Sequence, residues 1–204
     1  MKYLITGLGN IGEEYRDTRH NIGFMILDAW ARASNVFFTD KRYGEVASLK
    51  HRGRTFVLLK PSTFVNRSGN AVKYWLKKEK ITEERLLVVL DDISIPFGSM
   101  RLRSKGGDGG HNGMAHINMI LGHGNFARLR FGIGNDFMTG GQVNYVLGEL
   151  TEEEKSILDK RASLAIDIIK SFGTIGIELT MTKYNRQAKS PDDEERDDRG
   201  TEDR

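Results

Sequence analysis

The sequence contains no cysteine, and no apolar run in its 204 residues approaches the roughly 20 residues that a transmembrane helix needs. Without cysteine, disulfides and thiol chemistry are excluded, which fits a reducing compartment. The N-terminus also lacks the charged and then apolar layout of a signal peptide. Together these absences predict a cytoplasmic protein without a membrane segment.

Several catalytic motifs are missing as well. There is no G-x-S-x-G elbow and no H-E-x-x-H pair, so a serine nucleophile and a zincin site are both unsupported. His111 and His116 are five residues apart, which is poor spacing for two metal ligands on one face of a helix. The available groups are therefore histidines, carboxylates and amides.

Negative charge is scarce in most of the chain and concentrated at its end. Residues 188–204 hold four Lys/Arg against eight Asp/Glu, so a formal net charge of +3 leaves +7 on residues 1–187. A basic body suggests a polyanionic partner. The chain length suits one domain. We therefore expect a single domain over 1–187, followed by a disordered acidic tail over 188–204.

Strand and helix patterns alternate along this domain. Strands are predicted at residues 3–5, 36–40, 44–51, 55–60, 86–90, 99–103 and 127–132, of which 86–90 is continuously apolar and therefore covered on both faces. Helices are predicted at residues 24–33, 69–80, 115–121, 151–172 and 174–186, with a loop or lid at 135–148. The pattern predicts an α/β fold with one twisted, mixed sheet flanked by helices.

The first loop matches the glycine spacing of a known nucleotide-binding fingerprint but not the helix that should follow it. Gly7-x-Gly9-x-x-Gly12 has the spacing of a dinucleotide site, but there the last glycine must lie in the first turns of a helix. Apolar periodicity begins only at Ile22, so we expect a later helix start, capped by Asp17 or Thr18. The pattern therefore disfavours a dinucleotide-binding oxidoreductase, which remains an alternative.

Polar residues collect at the ends of the predicted strands and in the adjoining loops, namely Asn10, His20, Asn66, Asp91, Asp92 and Asn112. A histidine can take a proton from water near neutral pH. A carboxylate on its far nitrogen fixes the tautomer, and amide NH₂ groups can donate to a developing oxyanion. This set of groups suits the attack of water on an activated ester.

Four stretches carry a resemblance that covers about residues 2–185. In chain order they read GLGNIGEEYRDTRHNIG, KPSTFVNRSG, DDISIPFG with RLRSKGGDGGHNG, and FARLRFGIG. Their order and spacing closely resemble the blocks of bacterial peptidyl-tRNA hydrolase. The resemblance implies a cytoplasmic, monomeric, metal-free esterase. Such an enzyme cuts the ester between a peptide and the 3′ ribose of tRNA, and so recycles tRNA from prematurely released peptidyl-tRNA.

The resemblance also implies roles for individual residues. His20 matches the general base, Asp91 its carboxylate partner, and Asn10 a residue that separates peptidyl from aminoacyl ends. Further matches hold the peptide and 3′ end (Asn66 and Asn112), pack nearby (Tyr15 and Phe64), or clamp the 5′ phosphate of the acceptor stem (Arg103 and Arg130). Alternation independently predicts that Arg101, Arg103 and Lys105 share one strand face, as do Arg128 and Arg130.

The sequence departs from the family pattern at Ser94, Val65 and Asp108, which affects substrate contacts rather than the catalytic residues. A non-catalytic RNA-binding module on the same fold is the second alternative. Such a module could dispense with His20 or Asp91, yet both are present. Hydrolysis of peptidyl-tRNA is therefore the leading hypothesis.

Overall fold

The structure, a computed structural model, describes residues 1–189. Its strands are β1 (Lys2–Gly7), β2 (Thr39–Lys41), β3 (Gly44–His51), β4 (Arg54–Pro61), β5 (Leu86–Asp92), β6 (Met100–Arg103) and β7 (Ala127–Gly132). Its helices are α1 (Ile22–Ala33), α2 (Ser68–Glu79), α3 (Asn112–Leu121), α4 (Gln142–Val146), α5 (Glu152–Ile175) and α6 (Ile177–Tyr184). Within residues 1–189, no helix is long and apolar enough to cross a membrane.

The strands form one mixed sheet in the order β2-β3-β4-β1-β5-β7-β6. Strands β4, β1, β5 and β7 run parallel, and β3 and β6 are antiparallel to their neighbours. Strand β5 is buried along its whole length, as its continuous apolar run predicts. The predicted α/β class with a mixed sheet is thus confirmed, and the carboxyl ends of β1 and β5 lie side by side.

Apolar side chains of the sheet alternate between two cores. Ile5 and Leu87 pack into the core that includes α1 and α5, whereas Leu4 and Val88 pack into the core beneath α2 and α3. Both layers are therefore filled from the same central strands. The edge at which β1 and β5 end is left for polar groups.

Close packing explains two glycines in and beside the first loop. A Cβ on Gly7 would collide with the carbonyl of Gly23, and a Cβ on Gly23 would collide with the backbone of Leu8. Strand β1 and helix α1 therefore approach so closely that neither position tolerates a side chain. Gly12, at φ 111°, precedes a short 3₁₀ turn rather than α1, so the geometry of a dinucleotide fingerprint is not formed.

Three boundaries differ from the sequence expectation. Neither Asp17 nor Thr18 caps α1: a 3₁₀ turn, Arg19–Asn21, intervenes, and α1 begins at Ile22. Strand β2 spans Thr39–Lys41 instead of 36–40, because the amide of Val36 still bonds a carbonyl of α1. The loop or lid at 135–148 contains α4.

The end of the chain also differs. Ala188 is only 1% exposed and packs in the core, so the body extends at least one residue beyond 187. Gly176, at φ 85°, separates α5 from α6 a few residues later than expected. Thr151 and Glu154 form a capping box at the start of α5. The rest of the predicted acidic tail lies outside the described residues.

Candidate active site

A cleft of about 480 Å³ opens at the carboxyl edge of β1 and β5. Its walls come from the loop after β1, the turn before α2, the end of β5, the glycine-rich loop before α3, and α4. Its polar lining residues are Asn10, His20, Asn66, Arg67, Asp91, Asp92, Asp108, His111, Asn112 and Gln142. The structure therefore brings together the residues that the sequence placed at separate strand ends.

His20 and Asp91 form the centre of this cleft. The Nδ1 atom of His20 lies 3.0 Å from both carboxylate oxygens of Asp91. The two side chains are 10% and 3% exposed. A carboxylate bound to Nδ1 places the proton on that nitrogen and leaves Nε2 as the base. This arrangement can withdraw a proton from water.

A second histidine holds the same carboxylate. His111 Nε2 lies 3.0 Å from Asp91 Oδ1, and the two imidazole rings are 4.7 Å apart. His111 also caps α3, since its Nδ1 accepts from the amides of Gly113 and Met114 at 3.1 and 3.4 Å. Nδ1 is therefore unprotonated, and the proton sits on Nε2, from where it is donated to Asp91.

This tautomer decides what the two histidines and the carboxylate can bind. His20, Asp91 and His111 cluster closely enough to suggest a metal centre. A metal on His111 Nε2 would require the proton on Nδ1, which faces two amide donors. The geometry thus favours a hydrogen-bonded carboxylate over a metal ligand set. His111 was missed as an active-site residue in the sequence, although its place before α3 at the sheet edge was an available signal.

The electrostatics follow from burial and from these hydrogen bonds. Burial alone would lower the pKa of His20, but the charge and hydrogen bond of Asp91 outweigh it and raise that pKa above its ordinary value. Burial likewise opposes ionisation of Asp91, yet the charges and hydrogen bonds of His111 and His20 hold its pKa well below the usual range. The carboxylate therefore stays ionised while the base titrates.

Asn10 is held in one orientation. Its Oδ1 accepts from the amide of Val65 at 2.9 Å, and its backbone N–H and C=O both bond the side-chain amide of Asn21. Because Oδ1 is engaged by Val65, the NH₂ group of Asn10 is left to face the cleft. Val65 makes this contact with Asn10 through its backbone N–H, while its isopropyl group is buried.

The other predicted substrate residues differ in position. Asn66 and Asn112 are both exposed and line the cleft, Asn66 in the 3₁₀ turn Val65–Arg67 before α2 and Asn112 as the first residue of α3. Phe64 is 55% exposed and also lines it. Tyr15 is half-buried in the 3₁₀ turn Glu13–Tyr15, and it is not among the lining residues of the cleft.

Asp92, next to Asp91, has a different set of partners. Its Oδ1 accepts from the amide and the hydroxyl of Ser94 at 2.9 and 2.6 Å, and its Oδ2 pairs with Arg130 Nε. Ser94 therefore forms a turn that orients Asp92. Arg130 is 28% exposed and lies under Gly109 of the glycine-rich loop. Asp92 therefore orients Arg130, whereas Asp91 binds His20.

The predicted basic strand face needs one correction. Arg103 is exposed at the end of β6, opposite Arg128 on β7. Arg128 is only 3% exposed, and its guanidinium donates to the carbonyls of Gly106, Gly107 and Gly124 at 2.7 Å. Burial, assisted by the nearby charge of Arg130, lowers the pKa of Arg128 to about 10. Arg128 thus shapes the glycine-rich loop and does not face solvent.

Arg19 connects the active site with the segment that carries α4. It pairs with both carboxylate oxygens of Glu154, at 2.9 and 2.8 Å, and its guanidinium stacks 4.6 Å from the ring centre of Tyr145. The Arg19 amide also donates to Gly148. The C-terminal end of this segment is therefore fastened next to His20. Nothing in the sequence spacing pointed to this contact.

Fold and site together define an α/β protein with a buried Asp that orients a histidine base, surrounded by amides. The sequence matches the peptidyl-tRNA hydrolase family over residues 4–192. The chain belongs to this family.

Relatives and solved structures agree with this assignment. The chain is 60% identical over 187 residues to the peptidyl-tRNA hydrolase of Phocaeicola vulgatus, covering 92% of this chain and 100% of the relative. It is 58% identical, with the same coverage, to that of Bacteroides fragilis. A crystal structure of the Acinetobacter baumannii peptidyl-tRNA hydrolase matches with a TM-score of 0.84 and 33% identity, over 90% of this chain and 94% of that one.

Proposed function

We propose that this chain hydrolyses peptidyl-tRNA by cleaving the ester between the peptide and the terminal ribose of tRNA. The observation that carries the proposal is the contact of His20 Nδ1 with both oxygens of buried Asp91. That contact leaves Nε2 at the cleft as a base, in a chain of the peptidyl-tRNA hydrolase family. The substrate class comes from the family, and the chemistry comes from the site.

In this mechanism, His20 Nε2 takes a proton from a water molecule as the oxygen attacks the ester carbonyl carbon. The carbonyl π electrons move onto oxygen, and the NH₂ group of Asn10 is placed to donate to the resulting oxyanion. The intermediate then expels the ribose oxygen, which takes the proton from the His20 imidazolium. Asp91 stabilises that imidazolium, and His111 keeps Asp91 in place.

Two further asparagines offer amides to the substrate. Asn66 and Asn112 are both exposed in the cleft, where their amides suit the peptide backbone and the 3′ end. Phe64 offers an exposed ring beside them. Tyr15 is a weaker candidate for the same role, because it lies away from the cleft lining.

Arg103 and Arg130 are proposed to receive the 5′ phosphate of the acceptor stem. They occupy adjacent strands on the same face of the sheet, because Arg130 pairs in register with Arg101. Arg103 is exposed, whereas Arg130 shares its charge with Asp92. Arg103 therefore carries the larger part of this role. A monomeric, cytoplasmic enzyme is proposed from the family resemblance.

The two alternatives have less support. A dinucleotide-binding oxidoreductase needs a helix directly after Gly12, and α1 begins only at Ile22. A non-catalytic RNA-binding module has no use for a buried ion pair that raises the pKa of His20.

The proposal is tested by incubating the protein with N-blocked peptidyl-tRNA in ¹⁸O-water. We expect free tRNA that can be charged again and a peptide whose new carboxylate carries one ¹⁸O atom. Label in the tRNA, or binding without release of peptide, would contradict ester hydrolysis by attack at the carbonyl.

A further inference from the structure

The chain end lies against the outer strand of the sheet. Asn185 bonds both backbone groups of Leu102, with its Oδ1 accepting at 2.9 Å and its Nδ2 donating at 3.2 Å. The amide of Met100 then donates to the carbonyl of Ala188 at 2.8 Å. The last described residues therefore follow β6, which is the edge strand, toward its first residue.

This direction leads the chain to the catalytic edge. Met100 pairs with Phe131, which pairs with Asp91 on β5, so all three lie at one level of the sheet. With strands roughly 4.8 Å apart, Ala188 lies about 14 Å from the backbone of Asp91. Arg161 fixes Ala188 in this position, since its guanidinium donates to Ala188 and to Gly98 at 2.5 and 2.8 Å.

The sequence beyond this point is strongly acidic. Residues 192–198 read DDEERDD, with six carboxylates and one arginine. At no more than about 3.6 Å per residue, Asp192 can lie up to about 14 Å from Ala188, and Asp198 up to about 36 Å. The whole acidic run can therefore reach the ends of β6 and the glycine-rich loop.

The surface within reach is basic. Arg103, at the last residue of β6 and roughly 10 Å back along the strand from Met100, is exposed, as is Lys105 two residues further on. The proposed function assigns Arg103 to a tRNA phosphate, and Lys105 adds a second cation beside it. A run of carboxylates offers these cations the same charge that a phosphate backbone does, from a tether that cannot diffuse away.

We propose that segment 192–198 docks on Arg103 and Lys105 and competes there with the phosphates of the acceptor stem. The inference rests on the proposed function, because it gives a regulatory role to the same basic surface. A tethered competitor at a roughly millimolar effective concentration, with a millimolar dissociation constant, raises KM for tRNA about twofold. Salt weakens both the docking and the RNA contact. The docked segment thus favours substrates that bind in the cleft as well as at the phosphate site.

The test neutralises the tail in the full-length protein and measures KM for peptidyl-tRNA at low salt. The variant carries Asp192→Asn, Asp193→Asn and Glu194→Gln. A matched control removes three negative charges from exposed positions on α5, with Glu153→Gln, Asp159→Asn and Asp167→Asn. We expect the tail variant to lower KM by up to about twofold, the control to change it little, and the difference to shrink at high salt.

A short peptide ester on an adenosine-like 3′ end separates this inference from the proposed function. The tail variant should cleave it at the wild-type rate, since that substrate does not reach Arg103. If the wild-type protein cleaves neither substrate, the proposed function is wrong. If the tail variant has an unchanged KM for peptidyl-tRNA at low salt, only the proposed docking of the tail is wrong.

A cross-linking measurement distinguishes docking from long-range repulsion of RNA. Carbodiimide should join a tail carboxylate to Lys105, and an acceptor-stem hairpin should suppress that product. If the tail variant lowers KM but the wild-type protein gives no Lys105 cross-link, the tail acts at a distance and the docking proposal is wrong.

Discussion

Replacing His111 by serine isolates its contact with Asp91. Serine is too short to reach the carboxylate, but its oxygen can still cap α3 in place of the imidazole Nδ1. His111→Ala removes both interactions. The pair of variants therefore separates the stability of the helix from the tuning of the active site.

The size of the effect follows from the burial of the pair. The side chains of His111 and Asp91 are 7% and 3% exposed, and a hydrogen bond to a charged group contributes about 1.5–3 kcal/mol. Without the hydrogen bond from His111, the carboxylate of Asp91 stabilises the protonated form of His20 more strongly. Since one pKa unit corresponds to about 1.4 kcal/mol, we expect the pKa of His20 to rise by about half a unit to one unit.

The assay is the pH dependence of kcat/KM for peptidyl-tRNA. Only neutral His20 accepts a proton, so activity is lost as the pH falls through its pKa. Both variants should move this acid limb to higher pH and lower the plateau. The alanine variant should in addition melt about 2–4 °C below the serine variant, for roughly 1 kcal/mol of lost capping. An acid limb that stays in place, or moves to lower pH, would refute the role of His111 in holding Asp91.

Further predictions concern the neighbouring residues. Asp91→Asn should reduce turnover much further than Asp92→Asn and should move the acid limb to lower pH, because the charge of Asp91 raises the pKa of the base; equal losses would contradict the assignment. Asn10→Ala should lower turnover and narrow the ratio of peptidyl to aminoacyl cleavage, and a fixed ratio would rule out a role of Asn10 in separating the two substrates. Arg103→Ala with Arg130→Ala should raise KM for full tRNA and lower the salt slope of log K by about 0.7–0.9 for each lost phosphate contact, while a short ester is cleaved as before. Equal loss of the short ester would assign these arginines to the fold or the active site.

Much of the sheet could be predicted because its strands are encoded by local patterns. The apolar run 86–90 gives the buried part of β5, and Asp91 follows it directly at the sheet edge. Strand β2 was misplaced because the apolar residues after α1 pack against the core beside the helix end without entering the sheet, and Phe37 is 81% exposed. Hydrophobicity alone does not distinguish these two outcomes.

The sequence indicated several residues that line the cleft, but not the hydrogen bonds among them. Strand ends indicated His20 and Asp91, whereas the contact of His111 with Asp91 depends on how the glycine-rich loop folds back. That loop takes its shape from Gly109 and Gly110 at positive φ and from the buried guanidinium of Arg128. Alternation along β7 predicted that Arg128 lies on an exposed basic surface. A period-2 pattern gives the face of the sheet on which a residue lies, but not whether a loop covers that face.

The most direct test of the central claim is the turnover of His20→Ala with peptidyl-tRNA. Loss of a general base costs on the order of 10²- to 10⁴-fold in rate, while substrate affinity should remain close to wild type. His116→Ala is the matched control, because His116 lies on α3 and its ring bonds the amide of Gly69 away from the cleft. The account predicts near-complete loss for His20→Ala and little loss for the control. A His20→Ala protein that keeps more than half of the wild-type turnover would contradict it.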